Sequence, residues 1–247
     1  MARKLHTLIT AGPTREMIDE VRDWGNIFSG QTGLDLALAF LELGDATLLT
    51  SNTTHAKDFD GFYGKAGMLG IETFRAHADL HELLAHRMTD SAAPTDIVAM
   101  TAAVADYRPE GSFALLSRTP NADGTETWIT RNVSAPKVKS THKQVAVVGT
   151  PTLKLIDQFR APWNFRGLLI KFKLEVALSD EQLLAVASAS RLASGADLMV
   201  ANTLAMARPA DPTAASAYLI DGAGATRVAR PELAARIVAW SASHVEA

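Results

Sequence analysis

A hydrophobic strand that empties into a long glycine-punctuated loop, and then into a helix, constrains this chain more than any other feature. Between Ile9 and Gly33 it reads ITAGPTREMIDEVRDWGNIFSGQTG, with an apolar strand over Leu5–Thr10 and a helix predicted to begin at Leu34. Gly12, Gly30 and Gly33 can bring bare backbone amides close to a ligand. The amino end of the following helix adds unpaired N–H donors and the positive end of a dipole. Arg15, Arg22 and Asn26 stand in the same loop, so it carries polar side chains as well as glycines. The segment reads as an anion cradle. It has neither GxxxxGK[ST] nor the GxGxxG spacing, so the two common nucleotide fingerprints do not apply.

The first hundred residues alternate in the manner of an α/β protein. Strands are predicted at Leu5–Thr10, Ala46–Thr50 and Asp96–Met100, with helices at Leu34–Leu43 and Asp79–Arg87 between them. The helices rest on spacing, since Leu34, Ala37, Leu38 and Leu41 share one face, as do Leu80, Leu83 and Leu84, with Asp79 placed to cap the second. The βαβαβ order predicts a mostly parallel sheet flanked by helices, with ligands gathered at the carboxyl ends of the strands. The opening loop lies there, and so does the run TAAVADYRP from Thr101 to Pro109.

Residues 110–142 break the pattern with SRTPNADGTETW and RNVSAPKVKSTHK, which predict an inserted arm of strands or a hairpin with a mobile loop. Order returns with strands at Val145–Val148, Leu168–Leu174, Leu198–Ala201 and Ala217–Ile220. Helices are predicted around Glu181–Ala193 and from Pro231 to about His244. The expected organisation is a single domain over 1–247 carrying the 110–142 arm.

Composition removes several functions. The chain has 247 residues, of which 47% are hydrophobic and 21% charged, and no apolar run reaches the length of a membrane helix. The apolar stretch after Met1 is short and breaks at Gly12 and Pro13, so it predicts a strand, not a signal peptide, and a cytoplasmic protein. With 0 cysteines there is no disulfide, thiolate metal site or cysteine nucleophile. A net charge of -3 without a long basic run argues against nucleic acid and leaves a small phosphorylated molecule as the expected partner.

Other positions carry possible chemistry. Asp106, at the end of a buried strand, can bind a magnesium ion bridging phosphates or cap a turn. Ala102 and Ala103 beside it either pack a core or admit a ligand. Lys137 and Lys139 in APKVKS are solvated charges or, on a mobile loop, can neutralise a phosphate under attack. In KFKLE, Lys171–Glu175, Phe172 can pack a base or ribose, or serve an alternating edge strand. The 7 histidines show no zinc spacing.

Taken in order, TAGPTREMIDEVRDWGN, SGQTG, AAVADYRP, APKVK, FKLE and ADLMVAN resemble the phosphopantothenoylcysteine synthetase (phosphopantothenate–cysteine ligase) family of coenzyme A biosynthesis, nearly end to end. The resemblance implies a Rossmann-like fold and a homodimer. It also implies a ligase that joins 4'-phosphopantothenate to cysteine through an acyl-nucleotidylate, using Mg2+ and CTP or ATP as co-substrate and releasing pyrophosphate. It assigns Asn26 to holding that intermediate and Lys137, the first lysine of the family's mobile KxKK loop, to activating it. Asp106 would hold the cation or the triphosphate; Gly12, Ser29, Gly30 and Gly33 would line phosphates. Phe172 and Asn202 would lie near the nucleotide, with Arg22, Ala102 and Ala103 on the substrate side.

Four positions depart from the family pattern: Phe28 replaces a serine, Gln31 stands where a lysine or arginine is common, Lys171 replaces the glycine of GFKxE, and KVKS ends without its last lysine. The decarboxylase domain often fused ahead of such chains is not in this sequence, which leads to the expectation of a free-standing enzyme. Two rival readings are a catalytically idle nucleotide-binding dimer module and a nicotinamide-dependent oxidoreductase. The second would want GxGxxG and a YxxxK pair, and the chain has neither.

Overall fold

The computed structural model describes residues 4–90 and 94–245. β1 (Leu5–Ala11) runs into a small hairpin, β2 (Arg15–Met17) and β3 (Asp23–Gly25), and then α1 (Gln31–Phe40), β4 (Gly44–Thr50), α2 (Thr53–Phe59), β5 (Leu69–Thr73), α3 (His77–Thr89) and β6 (Ile97–Met100). β7 (Tyr107–Pro120), β8 (Glu126–Asn132) and β9 (Val145–Pro151) form a separate antiparallel sheet. The chain then returns through β10 (Leu168–Glu175), α4 (Asp180–Ser194), β11 (Leu198–Thr203), α5 (Leu204–Ala207), β12 (Ser216–Ile220), β13 (Ala225–Ala229) and α6 (Leu233–His244).

The main sheet has the order β13-β12-β11-β10-β6-β1-β4-β5. It is parallel from β5 to β11 and antiparallel at β12 and β13. Its central strands are largely apolar because both faces are covered, although β1 and β4 carry the buried Thr7, Thr10, Thr47 and Thr50, and β10 carries Lys171 and Lys173. In β1, Leu8 joins Leu80, Leu84 and Phe159 on one face, while Ile9 joins Leu36, Phe40 and Ile237 on the other. Phe40, the last residue of α1, is fully buried, so its truncation to alanine costs about 3–5 kcal/mol. Strand order reverses between β1 and β6, which opens a crevice at their carboxyl ends.

The α/β architecture and its parallel core match expectation, with local differences. The opening segment is not all loop, because Arg15 to Met17 pair with Asp23 to Gly25. α1 starts at Gln31, three residues before the predicted Leu34, so Gly33 lies inside it. A side chain at Gly33 would bring its Cβ within 2.6 Å of both Ala11 Cβ and Thr101 Oγ1, so glycine is what lets the helix sit on the strand ends. The arm extends from Tyr107 to Pro151, wider than 110–142, and Val145–Val148 belongs to its sheet instead of the main one. Asp79 does cap α3, from within its first turn, its carboxylate accepting the amides of Arg75 and Ala76.

Candidate active site

The crevice is stitched from two segments that are far apart in sequence. Ala103 donates its amide to the Gly12 carbonyl at 2.9 Å, and its own carbonyl accepts from the Thr14 amide. Ala102 donates to Thr10 Oγ1, and Ala105 to Thr14 Oγ1. Asn26 Nδ2 donates to the Ala103 carbonyl at 3.1 Å, which fixes the orientation of an exposed amide over the strand ends. Gly30, at φ 82°, packs on Gly12 so tightly that a Cβ there would lie 2.7 Å from the Gly12 nitrogen. Only a glycine allows this left-handed turn and close approach together.

Two cavities adjoin across a shared wall of Phe28, Ala102, Ala103, Phe172 and Lys173. The first, about 360 Å³, is also lined by Thr32 at the start of α1, Asn202, Arg208 and Arg230. Arg230 donates to Thr32 Oγ1 at 2.6 Å, which brings a guanidinium to the amino end of α1. The second, about 440 Å³, holds Asn26, Asp106, Thr152, Lys154 and Lys171. Cations outnumber carboxylates in both linings, so the pair is built to receive negative charge.

Of the residues singled out in the sequence, Asn26, Asp106, Ala102, Ala103, Phe172 and Asn202 line these cavities. Gly12, Ser29, Gly30 and Gly33, expected to line phosphates, line neither cavity: Gly12 follows β1 and packs against Gly30 at the amino end of α1, Gly33 lies within α1, and the Ser29 carbonyl accepts from Asn52 Nδ2 at 3.1 Å. Asn52 in turn meets His55, which is buried against Thr50 Oγ1, and burial holds its imidazole below the ordinary pKa.

Arg22 and Lys137 line neither cavity. The Arg22 guanidinium binds the Asp19 carboxylate and donates to the Val138 carbonyl at 2.9 Å. Asp19 also accepts the amides of Val21, Arg22 and Val138. The Arg22 guanidinium, helped by those amides, holds the Asp19 carboxyl well below the usual carboxylate range. Val138 is buried, and exposed Lys137 and Lys139 flank it, so this clasp seats the lysine segment beside the β2–β3 hairpin.

Arg208, Arg230, Thr32 and Lys154 were not anticipated. Arg230 meets Thr32 across 198 positions of sequence, and no local spacing signals such a pair. Asp106 is an exposed carboxylate, and no cluster of three or more His, Cys, Asp or Glu able to hold a metal occurs among the described residues. No helix among the described residues is long and apolar enough to cross a membrane.

Residues 2–115 match the sequence family described as the DNA/pantothenate metabolism flavoprotein C-terminal domain. The chain is 29% identical over 212 residues to the coenzyme A biosynthesis bifunctional protein CoaBC of Thermococcus kodakarensis, covering 82% of this chain but 44% of that relative, so it spans less than half the relative's length. Among solved structures, the fold is similar to that of a DNA/pantothenate metabolism flavoprotein from Streptococcus pneumoniae, with a TM-score of 0.72, 22% identity, and coverage of 97% of this chain and 99% of that one. It is also similar to Cab2 in complex with phosphopantothenate-cysteine, with a TM-score of 0.61, 15% identity, and coverage of 97% and 88%.

Proposed function

We propose, on the premise that residues 2–115 belong to the DNA/pantothenate metabolism flavoprotein C-terminal domain family, that this chain joins 4'-phosphopantothenate to cysteine with cleavage of a nucleoside triphosphate. The observation that carries the reading is the pair of cationic cavities meeting at one wall, where the strands of the main sheet end. Two anions that repel each other in water must be held together in this reaction, and positioning with charge neutralisation supplies most of what it needs.

The substrate carboxylate attacks the α-phosphorus, forming an acyl–phosphate bond and breaking the bond to the β-phosphate, and pyrophosphate leaves. The cysteine amine then attacks the acyl carbon, an amide forms, the amine loses a proton, and the nucleoside monophosphate departs. No protein nucleophile is required, in keeping with a chain of 0 cysteines. Phe172 and Asn202 flank the nucleoside, and Asn26, its amide held by Ala103, grips the acyl-nucleotidylate. The amino end of α1 with Arg230 takes a phosphate.

Asp106 fits a Mg2+ site of the kind that uses one carboxylate and completes its shell with substrate phosphates and water. Lys137 approaches the α-phosphate from the segment held by Val138. A second copy of the chain covers the exposed Val21, Trp24, Ile27, Tyr107 and Val148 of the hairpin and arm, giving a homodimer. The water-soluble substrates are consistent with a cytoplasmic enzyme.

Protein incubated with 4'-phosphopantothenate, cysteine, Mg2+ and either CTP or ATP should yield the cysteine amide, identified by mass spectrometry. The nucleotide that supports the higher kcat/KM is the physiological one. Absence of the amide with both nucleotides would refute the assignment and leave an idle binding module.

A further inference from the structure

Lys171 stands in the middle of β10, in register with Met100 of β6 and Met199 of β11. Its neighbours Ile170 and Phe172 belong to the core under α1 and α6, so alternation turns Lys171 to the opposite face, toward α4. There Nζ donates to the Ser190 carbonyl of α4 at 3.1 Å and lines the cavity that holds Asn26 and Asp106. An ammonium in a sheet interior is costly unless something compensates it. Among the described residues Lys171 makes no ion pair, and neither does Lys154 on the same cavity wall, whereas Lys173 pairs with Glu175 at 2.8 Å. Burial, with Lys173 and Lys154 nearby, holds the Lys171 amine below its ordinary pKa, and Asp157 opposes this only in part.

One backbone carbonyl uses one of the three N–H donors of an ammonium. A cavity that gathers Lys171 and Lys154, neither of them ion-paired among the described residues, against Asp106 as the one carboxylate in its lining fits a ligand that brings several negative charges of its own. The sequence pattern that this chain resembles has glycine at the Lys171 position, so the amine is a feature of this chain. We infer that Lys171 is an additional binding residue for the polyphosphate of the nucleotide, reaching it from the sheet face through the cavity shared with Asp106. The inference rests on the ligase reading of the same site and deepens it.

The test is calorimetric titration of wild type, Lys171→Met, Lys171→Arg and Lys171→Gly with CTP, ATP and inorganic tripolyphosphate, at low and high salt. Lys171→Met keeps the apolar stem, and a thermal melt shows whether it folds; Lys171→Gly gives a second neutral variant. The expected result is a loss of affinity of about tenfold or more for all three probes in both neutral variants. That loss should shrink at high salt and be restored largely by Lys171→Arg. Unchanged affinity in the folded neutral variants would overturn the inference, and so would a wild type that binds none of the probes. A loss that is independent of salt and unrescued by arginine would also overturn it, by showing a packing role. Lys171-dependent triphosphate binding without amide product would fail the ligase reading alone, while amide product with Lys171-independent binding would fail this inference alone.

Discussion

The guanidinium of Arg22 donates to the carbonyl oxygen of Val138, 116 residues away, at 2.9 Å. The same guanidinium grips Asp19, whose carboxylate accepts the Val138 amide at 3.1 Å. The turn of the β2–β3 hairpin and the segment bearing Lys137 and Lys139 are therefore one unit. A polar clasp of this kind can hold a short lysine segment near a site while leaving its lysines exposed.

Breaking the clasp should loosen that segment before it unfolds the domain. Arg22→Ala is expected to speed limited proteolysis between residues 133 and 144 and also to lower the melting temperature, because it leaves the buried Asp19 carboxylate without its guanidinium. The clasp also predicts an acid limit. The Asp19 carboxyl is held below its usual range by Arg22, so its contribution is complete above the ordinary pKa of about 3.9 and is lost as pH falls below it. Asp19→Asn should therefore be less stable than wild type near neutrality, and the gap should narrow in melts run from about pH 6 down to about pH 3.

Asn26→Ala and Lys137→Ala remove polar groups that are exposed, so each melting curve should match wild type, as expected for surface changes within about 0.5 kcal/mol. Turnover should nevertheless fall by about 10²–10³, the usual effect of losing one preorganised donor at a developing charge. Near-normal steady-state rates in both variants would remove these residues from the mechanism.

Gly33→Ala tests the close seating of α1. Its Cβ would lie 2.6 Å from Ala11 Cβ and Thr101 Oγ1 and 3.0 Å from the Thr10 carbonyl. Overpacking of this kind costs about 1–3 kcal/mol. Chemical denaturation should show that loss, accompanied by weaker nucleotide binding because the displaced helix end bears Thr32, which lines the cavity. Undiminished stability would show that the helix can shift freely.

His55 predicts a second pH effect at a milder pH. Burial lowers its pKa, so below about 6.5 the unfolded chain binds this proton more readily than the folded one. Stability from this group is thus present at higher pH and falls as pH drops through that value. His6 is lowered too, also by burial first, so the comparison of wild type with His55→Gln isolates one of them. Melting temperatures of the two proteins between about pH 8 and about pH 5 should converge as acid is added.

Much of the parallel core was legible because β1, β4, β6, β10 and β11 are apolar runs and α1, α3, α4 and α6 carry helical spacing. α2 and β5 were not, since TTHAKDF and LGIET are short and largely polar or half-buried and take their shape from the sheet edge they pack on. The β2–β3 hairpin escaped because each strand has three residues and its turn is set by Asp19, whose contacts include a distant loop. Within the site, motif position located Asn26, Asp106, Phe172 and Asn202, which share one end of the sheet. Arg208 and Arg230 were invisible because tertiary folding alone brings the segments after β11 to the cavity at the amino end of α1, where Arg230 meets Thr32. Phe28, noted for departing from the family pattern, turns out to face both cavities.

If the two cavities activate a carboxylate on a nucleotide, pyrophosphate must be released as they do so. Following that release continuously with purified protein, Mg2+ and CTP or ATP is the most direct test. Release should require 4'-phosphopantothenate, proceed with one pyrophosphate per amide formed when cysteine is present, and be lost in Asn26→Ala. Release independent of 4'-phosphopantothenate, or none with either triphosphate, would contradict carboxylate activation at this site.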